Sequence, residues 1–471
     1  MNLESPKSLF NFSSINVLSA IIKPESTVSY SDLFFQANKI ASLLSKNRIK
    51  KNNYIPLLIE DNFLFIKTVI GLWYLGGVPV PLNIKLLDAE INSILGDYNF
   101  KFLITDKELP SHLKKTGLEI IEIDKIAIAD LELKPNSLPS LEDEAVVIFT
   151  SGSTGTPKGV VHTFSSLINS VQNANQILTH QKNDRWLASL PFYHIGGFQI
   201  ICRSLFYGCS IILPQSLQTD DLAKSIREFS PTHISLVSTQ LERFIHHKFI
   251  PVESLRVSLI GGGFVEDELM FEADKLGWKP YRVYGSSETA SMITSISAGE
   301  IKTKPQSAGK ALNNVEIRIS NESEILIKSN SLFKNYLNDE KETASKIVKG
   351  FYHTGDLGFV DDDGYLFIEA RRNDLIVTGG ENVNPLEVEK ALLKIPFIKD
   401  ACVFPKQNKT WGQIVASAIV CHDSSVDGKF LREILKQNLA GYKIPKEFYF
   451  VDKLPKTSLG KLERNKIRKM F

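Results

Sequence analysis

Through the first two thirds of the chain, short apolar β-rich runs alternate with longer stretches of helical periodicity. The runs 54–59, 102–105, 146–149, 210–213, 233–237 and 257–260 read as strands, and 31–45, 165–179 and 222–229 read as helices between them. This alternation predicts an α/β fold with largely parallel sheets, because a crossover helix is the usual link between parallel neighbours. The most apolar long window, 63–82, contains Lys67, Gly71, Gly76, Gly77, Pro79 and Pro81. It reads as a buried helix ending at the glycine pair, followed by a Val-Pro-Val-Pro segment, and not as an integral membrane segment.

From about Val315 the texture changes to short strands with tight turns (315–319, 324–327, 358–360, 365–368), and Asp361-Asp-Asp-Gly364 signals a hairpin. A charged stretch at 371–374 marks a boundary. Beyond it a small α+β module is expected, with a helix at 385–393, strands at 401–404 and 415–420, a helix at 430–439 and a basic amphipathic tail over 453–469. A chain of 471 residues has room for two or three domains. Its net charge of +2 creates no field favouring nucleic acid, so no nucleic-acid partner is expected. Cys202, Cys209, Cys402 and Cys421 form no C-x-x-C pair and lie mostly in apolar context. They predict reduced, buried thiols, a cytoplasmic location and no zinc site. The N-terminus lacks the basic-then-apolar pattern of a secretory signal.

Four segments carry chemistry. In Phe149-Thr-Ser-Gly-Ser-Thr-Gly-Thr-Pro-Lys-Gly159 an apolar strand runs into glycines, three hydroxyls between Ser151 and Thr154, and the cation of Lys158. Glycines let the backbone approach an anion, and successive N–H groups form a nest for phosphate. It is not a Walker A loop, since Pro157 precedes Lys158 and Gly159 follows it. Leu259-Ile-Gly-Gly-Gly-Phe264 runs a strand into three glycines that admit a flat ring, but Glu266 stands where a dinucleotide fingerprint needs its last glycine. Tyr284-Gly-Ser-Ser-Glu-Thr289 offers an aromatic face, a turn, hydroxyls and the Glu288 carboxylate, which beside phosphates works through Mg2+. In Tyr352-His-Thr-Gly-Asp-Leu357, Asp356 follows a tight turn and could accept both hydroxyls of a ribose. Each segment alone also fits a turn or a capped helix; their co-occurrence in one chain is the argument.

Together these segments resemble the adenylate-forming superfamily: acyl-CoA synthetases, peptide-synthetase adenylation domains and luciferases. The resemblance runs from Gly76-Gly-Val-Pro-Val-Pro-Leu-Asn83 to the end, and includes Pro455-Lys-Thr-Ser-Leu-Gly-Lys461 as the C-terminal motif. Ala370 stands where glycine is common before the arginine, Asn373 where many members have aspartate, and Ser287 where they have threonine. The resemblance implies a large multi-layer N-terminal domain (1–370) with parallel-rich sheets and a small β-rich subdomain, a hinge at 371–374, and a small mobile C-terminal domain (375–471). It implies two-step chemistry with ATP, Mg2+ and coenzyme A: an acid becomes an acyl-AMP, then a thioester. Lys461, His194 and Thr150 would be catalytic. ATP would be held by Thr150, Ser151, Gly152, Ser153, Thr154, Gly155, Lys158, Gly262, Gly263, Tyr284, Gly285, Ser287, Asp356 and Arg371. The acid would meet His194, Arg203, Gly262 and Ser286, and Mg2+ would bind Glu288. The 379–383 segment would face the thiol channel.

The expected partner is a small-molecule carboxylic acid. The acyl-pocket segment Leu190-Pro-Phe-Tyr-His-Ile-Gly-Gly-Phe-Gln-Ile-Ile-Cys-Arg203 holds no Asp or Glu, which argues against an amino acid. Arg203 lies in an apolar helical run. There it either pairs with a core acid, snorkels outward, or receives a second carboxylate of the substrate. This segment and Thr232-His-Ile-Ser-Leu-Val-Ser-Thr-Gln-Leu241 resemble the o-succinylbenzoate–CoA ligases of menaquinone and phylloquinone synthesis. A fatty-acyl or aryl–CoA ligase and a stand-alone adenylating enzyme that loads a carrier protein are the alternatives. A homo-oligomer is left open.

Overall fold

The computed structural model describes residues 18–109, 117–123, 139–150, 157–263, 265–371, 376–422, 426–455 and 464–471. The chain divides into two compact units, one of residues 1–84, 98–149 and 159–369 and the other of 85–97, 150–158 and 370–471.

The first unit is organised by a fourteen-stranded sheet. Six neighbouring strands are parallel, in the order Pro280–Ser286, Val257–Gly261, His233–Val237, Arg185–Leu187, Ser210–Ile212 and Ser19–Lys23. Helices such as Thr219–Phe229 and Ser238–His246 fall between them in sequence, as the alternation predicts. Beyond Pro280–Ser286 the sheet turns antiparallel through Ser291–Ser297, Gly309–Ala311 and Tyr365–Arg371, and its far edge pairs Phe351–Val360, Glu324–Ser329 and Val315–Ile319. This is the expected β-rich part. The Asp361–Gly364 hairpin closes as expected, with Gly364 at φ 83°.

A second, all-parallel sheet of four strands contains Val78–Pro81 beside Tyr54–Leu58. The apolar window forms the helix Asn62–Leu75, capped by the Asp61 side chain and ended by Gly76 at φ 71°. A Cβ at Gly71 would lie 2.9 Å from Ala37 O, so this glycine is what lets the helix press against Tyr30–Lys46. No helix among the described residues is long and apolar enough to cross a membrane. Glu144–Thr150 and Lys158–Thr163, the strands flanking the glycine-rich loop, join Asn335–Tyr336 in a third sheet.

The second unit has a five-stranded sheet, dominated by the long antiparallel pair Ile398–Asn408 and Gly412–Cys421, with the helices Pro385–Leu393 and Gly428–Leu435. Two expectations shift. The helix expected over 430–439 is Gly428–Leu435, because the Asp427 side chain caps Phe430 N at 2.7 Å and so sets an earlier start. The tight turn expected just before Asp356 is instead part of the continuous strand Phe351–Val360. Gly355, at φ 77°, bends that strand without ending it, since the Glu324 carboxylate on the paired strand accepts from Gly355 N at 2.9 Å. Within the basic tail, Arg464–Arg468 forms a short helix. All four cysteines are free thiols; Cys202, Cys209 and Cys402 are buried and Cys421 is half-buried.

Candidate active site

Parallel strands leave their carboxyl ends in one row, which is where open α/β sheets bind ligands. Val237 pairs with Gly261, and Ile260 with Arg282, so the ends of three adjacent strands carry Val237, Gly262 and Tyr284 to a common edge. Gly262 is exposed at φ 82°, a conformation that disfavours any side chain, and Gly263 is exposed beside it.

Two of the sequence motifs meet here. The Tyr284 hydroxyl donates to Asp356 Oδ2 at 2.7 Å across 72 residues of sequence. A bulge between Tyr284 and Gly285 turns the strand, and a Cβ on Gly285 would fall 1.9 Å from Ser291 O. Only glycine fits there. The turn that follows is internally braced. The Thr289 hydroxyl accepts from Ser286 N at 2.9 Å and lies 2.6 Å from Ser291 O. Ala290 and Ser291 take φ values of 55° and 107°, strained for residues with a Cβ.

Glu288, the expected Mg2+ ligand, accepts from the Tyr336 hydroxyl at 2.9 Å, and its carbonyl accepts from Phe333 N at 2.8 Å. Burial, then the Glu288 charge, push the Tyr336 phenol far up, so it remains a donor. His162 Nε2 donates to Ser287 O at 2.7 Å. Burial holds this imidazole down to about 4, which keeps it neutral near pH 7. Among the described residues no cluster of His, Cys, Asp and Glu could hold a metal by itself. A single carboxylate nevertheless suits Mg2+, which takes one or two protein carboxylates and completes its shell with water and substrate phosphates.

His194 is the N-cap residue of the helix Ile195–Tyr207. Gly197 lets that helix start close under the preceding turn, where a Cβ would lie 2.0 Å from Pro191 O. Arg203, two turns further along, is 1% exposed. Its Nη2 donates to Ser291 Oγ at 3.4 Å and its guanidinium lies 5.3 Å from the Trp186 ring. Among the described residues it forms no ion pair with a carboxylate, and its Nε has no hydrogen-bond partner. Burial pulls its pKa down to about 10, leaving it charged near pH 7. The bland expectation of a core acid beside Arg203 is therefore not met: Asp184, next to the His233 ring, pairs instead with Arg256 at 2.8 Å. Snorkelling is excluded by the burial. Around Trp186 stand His180 and His233. Burial, with smaller repulsion from Arg203, holds them down to about 2 and about 4.

Thr150 ends one strand and Lys158 begins the next, so both flank the glycine-rich segment. Ser151, Gly152, Ser153, Thr154 and Gly155 lie outside the described residues, as does Lys461. Arg371 is the last residue of the strand Tyr365–Arg371, and 372–374 of the expected hinge lie outside the described residues. Sequence reasoning missed Tyr336, Glu324, His162 and Trp186, which reach the motifs only through distant strands. It also passed over Gln199, although its spacing of four from Arg203 placed it on the same helical face. A groove between Thr219–Phe229 and Ser238–His246, lined by Arg227, His247 and Ile250 among others, contains none of the motif residues.

Residues 17–337 match the AMP-binding enzyme family, and residues 387–461 match the AMP-binding enzyme C-terminal domain. The chain belongs to this family of AMP-binding enzymes. A 2-succinylbenzoate–CoA ligase of Bacillus subtilis (strain 168) is 33% identical over 462 residues, covering 95% of this chain and 94% of the relative. Among solved structures, the chain is similar to a double mutant of o-succinylbenzoate CoA synthetase from Bacillus subtilis bound with its product analogue OSB-NCoA, at a TM-score of 0.92 and 32% identity over 98% of each chain. It is also similar to the Bacillus subtilis enzyme in complex with the acyl-adenylate intermediate OSB-AMP, at 0.75 and 31% over 98% of this chain and 97% of that one. With the complex of that enzyme with ATP and magnesium ion the values are 0.74 and 31% over 98% of each chain.

Proposed function

We propose that this chain is an ATP-dependent acid–CoA ligase that converts 2-succinylbenzoate, through its acyl-AMP, into the CoA thioester used in menaquinone or phylloquinone synthesis. The carrying observation is Arg203, a fully buried guanidinium with no carboxylate partner among the described residues. Burying a lone charge costs several kcal/mol, as an order of magnitude, so a partner must come from elsewhere. A carboxylate suits a guanidinium in both charge and shape. A substrate with two carboxylates can present one to Arg203 and react through the other. The named activities of the relatives support the same acid, and their ATP, magnesium and CoA-analogue complexes support the co-substrates.

In the first step one carboxylate oxygen of the acid attacks the α-phosphorus of ATP and the bond to pyrophosphate breaks. In the second the thiol sulfur attacks the acyl carbon and the bond to AMP breaks. Asp356, steadied by Tyr284, is suited to accept the ribose hydroxyls, and Gly262 and Gly263 leave the strand edge open to the flat base. Lys158, Lys461 and the hydroxyls from Thr150 to Thr154 serve to offset charge building on the phosphoryl oxygens. Glu288 would hold Mg2+, which when bound would supply positive charge to offset the negative charge of the phosphates. His194 orients the reacting carboxylate, with Ser286 close to the acyl chain. We assign 1–370 to adenylation, 371–374 to a hinge and 375–471 to a moving domain that brings Lys461 in for the first step and removes it for the second. Free thiols at all four cysteines support a cytoplasmic enzyme.

A panel of acids with ATP, CoA and purified protein tests the substrate. 2-Succinylbenzoate should be used best; far better use of octanoate or 4-coumarate would overturn the assignment. Lys461→Ala should abolish adenylation and spare thioester formation from supplied acyl-AMP. Equal loss of both steps would contradict its role.

A further inference from the structure

We propose that Gln199 is a positioning residue for adenylation: its amide holds the strained turn that closes the nucleotide motif, and it leaves Arg203 uncompensated for the acid. This rests on the roles of Glu288 and Arg203 proposed above.

Gln199 and Arg203 stand one turn apart on Ile195–Tyr207 and share a face. Gln199 is fully buried, and its Nε2 donates to Ala290 O at 2.9 Å. Arg203 Nη2 donates to the next residue, at Ser291 Oγ. A third donor, Ser170 Oγ on the helix Phe164–Leu178, reaches the same Ala290 carbonyl at 2.7 Å. Two donors from two helices thus converge on the carbonyl of one of two consecutive residues with positive φ. Such backbone persists only where its surroundings over-determine it. That carbonyl lies two residues past Glu288 and three past Ser287. Releasing it lets the turn relax and carries Glu288 from the place where it would meet metal-bound phosphate.

The amide is also chemically specific. Its Oε1 has no hydrogen-bond partner, so the group is kept for its N–H and for its neutrality. A glutamate of the same shape would lack the donor. It would also set a carboxylate four residues before Arg203, the helical order that pairs best. The pair would then satisfy itself and exclude the substrate carboxylate.

The test compares Gln199→Leu, Gln199→Glu, Ser170→Ala and Glu288→Gln. It reads pyrophosphate exchange against Mg2+ concentration, and separately thioester formation from supplied acyl-AMP. Gln199→Leu should raise the half-saturating Mg2+ concentration about 3- to 10-fold, the range for one lost buried hydrogen bond, and leave thioester formation within about twofold. Ser170→Ala should move it the same way, and it reads the same turn if Gln199→Leu does not fold. Gln199→Glu should in addition raise KM for 2-succinylbenzoate about tenfold and spare a monocarboxylic acid. Unchanged Mg2+ dependence in Gln199→Leu and Ser170→Ala, or equal loss in both half-reactions, overturns the proposal. If Glu288→Gln shifts the Mg2+ dependence while those variants do not, Gln199 alone fails. If Glu288→Gln shifts nothing, the underlying assignment of Glu288 fails instead.

Discussion

Two buried cations, one in each unit, are treated in opposite ways, while a second buried arginine of the first unit, Arg282, is paired with Asp267. In the second unit Lys443, with a side chain 8% exposed, lies between Glu90 at 2.5 Å and Glu387 at 2.8 Å. Burial pulls its amine down, but the two carboxylates outweigh that and leave it above the usual lysine value. In the first unit Arg203 meets a serine hydroxyl and an indole face, and burial goes unanswered. The paired cation belongs to the stability of its unit. The unpaired one is tolerated at a cost, and a cost of that kind points to function.

The sharpest way to break this contrast is to remove each cation in turn. Lys443→Met strands two half-buried carboxylates, and chemical denaturation should show a loss of about 3–5 kcal/mol. Arg203→Met should leave stability unchanged or raised, because it removes an uncompensated charge. Its kcat/KM for 2-succinylbenzoate should still fall about 100-fold or more, with a monocarboxylic acid used as before. If Arg203→Met unfolds the protein as readily as Lys443→Met, the two cations do the same work and the contrast is lost.

A smaller effect sharpens it through pH. His180 and His233, held down to about 2 and about 4 from an ordinary 6.5, fold in their neutral forms. Their contribution is complete above pH 6.5. It drains away as pH falls toward 4 for His233 and further for His180, because the unfolded chain takes up protons that the folded chain refuses. Unfolding measured between pH 7 and 5 should show that decline. In Arg203→Met, with the repulsion gone, the decline should be shallower by less than about 1 kcal/mol at pH 5.

Much of this was legible in the residues. Alternation announced the parallel sheet, Asp361–Gly364 its hairpin, and Gly76 the end of an apolar helix, since each is a local consequence of side-chain period or backbone freedom. The Tyr284 and Asp356 motifs were each recognisable too. Their hydrogen bond was not, nor were the grips of Tyr336 on Glu288 and of Glu324 on Gly355, which join residues 72, 48 and 31 positions apart. No local signal encodes which distant strand arrives opposite. The expectation of a tight turn before Asp356 erred for the same reason: the glycine was visible, but the carboxylate that keeps it within a strand was not.

From the sequence alone came the layer architecture and an arginine out of place in an apolar helix. These follow from period, composition and charge, which are properties of neighbours along the chain. Tertiary structure alone decided that Arg203 finds no acid within the described core, that Asp184 is already taken by Arg256, and that Gln199 and Ser170 converge on one strained carbonyl. Each is a matter of which groups pack together after folding. In a medium of low dielectric, that proximity determines whether a charge is silenced or left to act.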